Sequence, residues 1–307
     1  MIRPGIFIGA SMLFFGMKST IPEIPVSSII VADSINIQLH VLLGPDSLPD
    51  KYGARVITPV CETDKCYMIE LDMYWDLIGR YLYFDTIPGK GLTKLDHKPF
   101  EERDYHKLGG ILNDPNSPFV HYSKEELVEN TRSSEIDGLT GATIQEIKEY
   151  AIGGAVYSCY TLWHITHGSV IDSLRKSTRS MFGADLVQKL VRKNDQMVNY
   201  YLIHSFSKEE FERFLPFVLE TIHRGKGYYS KNAIEKIPAY LLNDDLAQDF
   251  FASNFAGLDY FSKVALLEKL YRDSLSENLK YALVSDLDRR NSLKNTLIRQ
   301  LLSQETE

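Results

Sequence analysis

The sequence predicts an α+β chain: a small mixed-sheet domain followed by an all-helical domain, either a HEAT-like array of helix pairs or an irregular bundle. Three observations carry that prediction. From Val26 to about Phe84, β-branched and alternating apolar residues dominate. From Ile144 onward almost every segment instead repeats its apolar residues at steps of three or four. And 307 residues exceed one average domain. The expected organisation is a leader and linker over 1–25, an α+β domain over 26–168 and a helical domain over 169–307, jointed at Gly168-Ser169.

Taken in order, residues 28–32 and Ile35–Leu43 read as strands, Gly44-Pro45-Asp46-Ser47 as a turn, and segments starting at Arg55, Cys66 and Arg80 as further strands. Pro88-Gly-Lys-Gly91 is a loop. A helix is expected over Glu101–Leu112, ended by Asn113-Asp-Pro-Asn-Ser-Pro118. Ser123-Lys-Glu-Glu126 is a capping box opening a short helix to about Asn130. Ile144, Ile147, Ala151, Ala155, Ser158, Leu162 and Ile165 form one stripe, which predicts a continuous helix. A second capping box, Ser207 to Glu210, opens a helix with Phe211, Phe214, Leu215, Val218, Leu219 and Ile222 on one face. Further helical runs are expected at 184–204, 231–242, 245–256, 259–273 and 276–303. No repeat signature aligns between them by eye, so an array and a bundle both fit.

Composition excludes several classes of function. Lys plus Arg is 34 against Asp plus Glu 41, a net charge of −7. A general nucleic-acid binder needs a basic excess to neutralise phosphates, so no nucleic-acid partner is expected. With 18 Tyr and 15 Phe the chain is not disordered. No G-x-S-x-G elbow, G-x-x-x-x-G-K-[ST] loop or G-x-G-x-x-G fingerprint occurs, so hydrolase, kinase and Rossmann dehydrogenase readings lack their minimum.

Arg3 followed by the apolar run Ile6–Met17 has the form of a secretory leader, too short to cross a bilayer comfortably. Export to the periplasm or cell envelope is the expectation, with membrane association only through that leader. A buried first element of the fold is the alternative. Cys61 and Cys66 flank a four-residue hairpin loop, where a small disulfide and two free thiols fit equally.

One short motif stands out: Asp137-Gly-Leu-Thr140-Gly141-Ala142-Thr143, immediately before the helical stripe. A tight turn there delivers a hydroxyl to a helix N-terminus, where free N–H groups and the positive dipole end favour a phosphate. The motif resembles that of the FMN-binding domain family, whose members include flavinylated subunits of the sodium-pumping NADH:quinone oxidoreductase and of the Rnf complex. The family pattern D-x-x-[S/T]-G-A-T is met in full by Asp137, Thr140, Gly141, Ala142 and Thr143. The resemblance implies that an extracytoplasmic flavin transferase joins FMN, through its phosphate, to Thr143. Thr140, Gly141 and Ala142 would shape the turn, and Asp137 would complete the transferase's recognition sequence. It covers residues 137–143 sharply and about 61–168 loosely. The glycine-rich strand-turn stretch usual upstream in the family has only Pro88-Gly-Lys-Gly-Leu92 as a counterpart.

A bound flavin ring needs aromatic and apolar cover, for which Trp75, Tyr74 and Trp163 are candidates by position, against ordinary core roles. His164 and His167, spaced i, i+3 with Cys159 nearby, could face one ligand, although no H-E-x-x-H pattern accompanies them. Asp96, His97 and His106 read either as polar loop residues or as lining of the flavin edge. The sequence therefore predicts an electron-transfer flavoprotein, carrying covalent FMN on Thr143 and meeting a redox partner protein, rather than a stand-alone enzyme. The alternative is a helical interaction scaffold whose N-terminal domain binds no flavin.

Overall fold

The structure, a computed structural model, describes residues 23–31, 35–60, 68–129, 147–225, 227–271 and 274–303. The leader, both hairpin cysteines and the Asp137–Thr143 motif lie outside them. The chain divides into two compact units between Leu174 and Arg175.

The first unit is built on a five-stranded sheet in the order β1-β2-β3-β4-β5: Glu23–Val31, Ile35–Leu43, Pro49–Thr58, Ile69–Asp76 and Tyr81–Thr86. Consecutive strands follow one another closely in sequence, so every pairing is antiparallel and no crossover occurs. β1 begins at Glu23, inside the stretch expected to be linker. Pro25 marks a register shift against β2, as befits a residue with no N–H for the ladder. The β4–β5 turn is closed by Asp76, whose carboxylate accepts the N–H groups of Ile78 (3.0 Å) and Arg80 (2.9 Å). Gly79 takes the left-handed conformation there, at φ +86°, with Ile171 packed where a Cβ would point.

Period-two alternation sends Ile37, Leu39, Val41, Tyr52, Ala54, Val56, Leu71, Met73 and Trp75 to one buried face. Helix α1 (Glu102–Asn113) packs on β5 and on α3 (Val156–His167), and the short α2 (Lys124–Glu129) also packs on α3. The Ser123 capping box forms, with Glu126 N–H reaching Ser123 Oγ and Ser123 N–H reaching the Glu126 carboxylate. The continuous helix expected through Ile165 does not form. Residues 147–150 are helical, the chain then turns through Gly153-Gly154, and α3 starts at Val156. Gly154 sits at φ +73° and its carbonyl accepts Leu95 N–H, so the apolar stripe spans two helices rather than one.

Helix α4 (Val170–Ser180) leads into the second unit. There α5 (Ala184–Arg192), α6 (Gln196–Ser205), α7 (Lys208–Arg213), α8 (Leu215–Arg224), α9 (Tyr228–Lys236), α10 (Asp245–Asn254), α11 (Tyr260–Leu267), α12 (Glu277–Ser285) and α13 (Ser292–Leu302) follow in close succession. Several expected helices are subdivided. The 184–204 run breaks at Asn194 (φ +49°), after which Asp195 caps α6. The helix opened by Ser207 breaks at Phe214, because Pro216 has no N–H to continue it. Pro238 likewise ends α9 and is followed by a 3-10 turn.

The helical unit is a stack of pairs. Helices α8, α10 and α12 pack in succession, as do α9, α11 and α13, and α6 packs on α9. The buried positions reveal a constant interval of 32 residues, the separation also of the Met197–Tyr229 contact. Val187, Leu219, Phe251 and Leu283 recur in one layer, and Leu202, Ile234, Leu266 and Ile298 in the other, all fully or almost fully buried. The starts of α6, α9, α11 and α13 share the same interval.

Candidate functional site

The described part of the first unit nearest in sequence to Thr143 is the helical turn 147–150 and what it touches. Lys107 on α1 donates to the carbonyls of Glu149 (3.0 Å) and Ala151, closing the end of that turn. Tyr150 donates to the Asp114 carboxylate (3.0 Å) and meets Phe119 edge-on. Burial, and the bond to Asp114, raise the Tyr150 hydroxyl above its ordinary pKa. From Phe119 an aromatic chain continues through Tyr160 and His164 to Trp163 and His167.

This arrangement decides several residues singled out by sequence. Trp75 is wholly buried on the inner face of β4, and its indole donates to the Thr166 carbonyl (3.2 Å). It is a core residue and offers no open face to a flavin. Trp163 is also enclosed, its indole donating to the Asp114 carbonyl (2.8 Å). Tyr74 lies on the opposite face of the sheet, stacked on Tyr83 at 4.6 Å with the Lys51 ammonium over both rings. Adjacent strand positions point to opposite faces, so Tyr74 and Trp75 cannot cover one ring system together. Among the described residues, Tyr74, Trp75 and Trp163 therefore do not come together as a ring pocket.

His167 Nε2 is 2.9 Å from the Leu112 carbonyl, which engages the nitrogen a shared ligand would need. His164 packs between the rings of Tyr160 and Trp163. Cys159 is fully buried, and burial pushes its thiol up to about 12, which makes it inert. No group of three or more metal-ligating side chains occurs among the described residues. Asp96, His97 and His106 are exposed, the first two in a 3-10 turn at positive φ.

His167 makes the first unit's stability depend on pH. Burial lowers its pKa below the ordinary 6.5, outweighing the opposite pull of the Leu112 carbonyl. The unfolded chain therefore takes up a proton at higher pH than the folded one. Stability is expected to fall as pH drops through about 6.5, levelling off below the folded pKa. His167→Gln keeps a donor for Leu112 and removes the titration, so urea midpoints measured across this range should decline less. An unaltered decline would remove His167 as its source.

The second unit holds a feature that sequence inspection missed. A cavity of about 700 Å³ opens among α5, α6, α8 and α9, lined by Arg192, Tyr200, Ile203, Phe217, Arg224 and Tyr229 among others. Arg224 pairs with Glu220 one turn earlier on α8, whereas Arg192 is exposed and forms no ion pair among the described residues. The Tyr200 ring lies on His204 at 3.8 Å, and its hydroxyl is 3.3 Å from that of Tyr228, a contact that raises its pKa. Tyr229 meets Tyr200 edge-on and reaches the Met197 sulfur at 3.3 Å. The signal that could have found this wall is the 32-residue interval, which places Met197 and Tyr229 at equivalent positions.

Comparison of the chain with protein-family models, with curated proteins and with solved structures returned no match. No described helix is long and apolar enough to cross a membrane.

Proposed function

We propose that the chain is an exported flavoprotein that carries FMN as a phosphoester on Thr143 and passes electrons between partners. The observation that carries this reading is the complete Asp137-x-x-Thr140-Gly141-Ala142-Thr143 pattern. Support comes from the helical conformation of residues 147–150, shortly after it in the sequence. When bound, FMN supplies one- and two-electron transfer. The protein's part is to hold the phosphate at the turn and to present the cofactor to a partner. An apoprotein made in the absence of a flavin transferase is expected to be colourless.

The test is the intact mass and visible absorption of leader-containing protein co-expressed with a flavin transferase. The expected result is a mass gain of one FMN less one water, with flavin absorption that survives denaturation. Thr143→Ala should lose both completely while keeping its helical circular dichroism. Unmodified mass in the wild type, or covalent flavin retained in Thr143→Ala, overturns the assignment.

A second reading is favoured by a separate observation, the regular stack of helix pairs in the second unit. On that reading the chain is an interaction scaffold and its first unit binds no flavin. It is distinguished by colourless protein beside an active transferase, together with partner binding that survives Thr143→Ala.

A further inference from the structure

Residues at the start of the second-layer helices form a row of apolar side chains, exposed at three of its four positions. The second residue of α6, α9, α11 and α13 is Met197, Tyr229, Phe261 and Leu293. The buried positions of the repeat lie elsewhere on these helices, so the fold itself does not require apolar side chains here. Phe261 is nevertheless 63% exposed, Leu293 49% and Met197 42%, while Tyr229 is half-buried. At its first step Tyr229 reaches Met197, and at its second the helices carrying Tyr229 and Phe261 pack on each other.

At the α6–α9 step this row opens into the cavity. Among the described residues lining it, Glu220 is the one acid, and it is held by Arg224. Arg192 is left without an acidic partner among the described residues. In a chain of net charge −7, this is a locally cationic mouth with tyrosine walls and a floor of Ile203 and Phe217. Arg, Tyr and Met are the side chains over-represented where proteins bind one another. The exposed Arg224–Glu220 pair contributes little to stability, so Arg224 can exchange its carboxylate for an incoming one at small cost.

We propose that this edge of the helical unit docks an extended acidic segment of a partner protein. Its carboxylates meet Arg192 and Arg224, one aromatic or aliphatic side chain enters the cavity, and further apolar residues run along the row toward Phe261. The proposal is independent of the flavin reading, since it uses the second unit alone.

The test is fluorescence polarisation of the full chain with a short fluorescein-labelled peptide alternating Glu with Phe and Leu. Two comparators replace Glu by Lys, or Phe and Leu by Ser. Saturable binding of the acidic-apolar peptide is expected, weakened by salt, with each comparator at least about tenfold weaker. Arg192→Glu should weaken binding about tenfold, and Phe261→Ser several-fold. Lys236→Glu, at the far end of α9, should leave it unchanged. Absence of saturable binding, equal binding of the lysine peptide, or an unaltered affinity in Arg192→Glu overturns the proposal. Should Arg192→Glu lose helical signal, Arg192→Gln supplies the same reading. None of these outcomes bears on the mass and absorption test of Thr143.

Discussion

Lys294→Met is expected to destabilise the helical unit by about 3 kcal/mol, the range seen when one partner of a buried ion pair is removed. The Lys294 side chain is only 3% exposed, and its ammonium donates to Asp286 (2.6 Å) and Asp288 (3.0 Å) and to the Asp286 carbonyl. Burial by itself would lower its pKa, but the bonds to the two carboxylates outweigh that and raise it. Asp286 is also held by Lys263 (2.8 Å), so the substitution leaves it half-compensated, while Asp288 loses its cation. Lys294 occupies the repeat position held by Ser230 and Ser262 in the preceding pairs, both almost fully buried. There it closes the loop between α12 and α13. Urea unfolding followed by circular dichroism measures the cost, and Lys294→Met with Asp286→Asn should cost less than the sum of the two single changes. A loss below about 1 kcal/mol would mean the ammonium is no better than an apolar side chain of similar length. The same cluster predicts an acid limit. The Arg290 backbone N–H, then Lys294, hold Asp288 below the usual carboxylate range. Its contribution is therefore full above about pH 3.8 and is lost as pH falls through its folded pKa.

Trp75→Ala should cost the first unit about 3–5 kcal/mol, as for other fully buried aromatic residues. The indole fills the space between β4 and α3, and its removal leaves both a cavity and the Thr166 carbonyl without its donor. Trp75→Phe, which keeps most of the volume, should cost less than half as much. Thermal unfolding of the two variants measures the difference. A Trp75→Ala protein that melts like wild type would place the ring outside the core and return it to the set of candidate flavin contacts. The expected unfolding phenotype, appearing without any flavin present, separates packing from cofactor binding.

Much of the site could be read only as chemistry in the sequence. The Asp137–Thr143 pattern is local, and a short pattern declares itself without tertiary context. Which aromatic residues surround it is a non-local matter. Tyr74 and Trp75 are neighbours in the chain and sit on opposite faces of a sheet, a distinction that needs strand register. His164 and His167 share a helix face, yet Leu112, from a different helix, takes up the His167 nitrogen. The cavity around Arg192 and Arg224 was invisible for the same reason, since its walls come from four helices.

The order of a strand-rich part before a helical part, most strands, the capping boxes at Ser123 and Ser207, and the change from alternating to helical periodicity were determined by the sequence alone. These depend on the intrinsic geometry of the backbone and on side chains within a few residues of one another. The tertiary structure decided the rest: the antiparallel order of the sheet, the break at Gly153-Gly154, and the 32-residue stacking register. That register escapes sequence inspection because burial conserves a position and not a residue type. Val187, Leu219, Phe251 and Leu283 fill equivalent places with three different side chains, all buried.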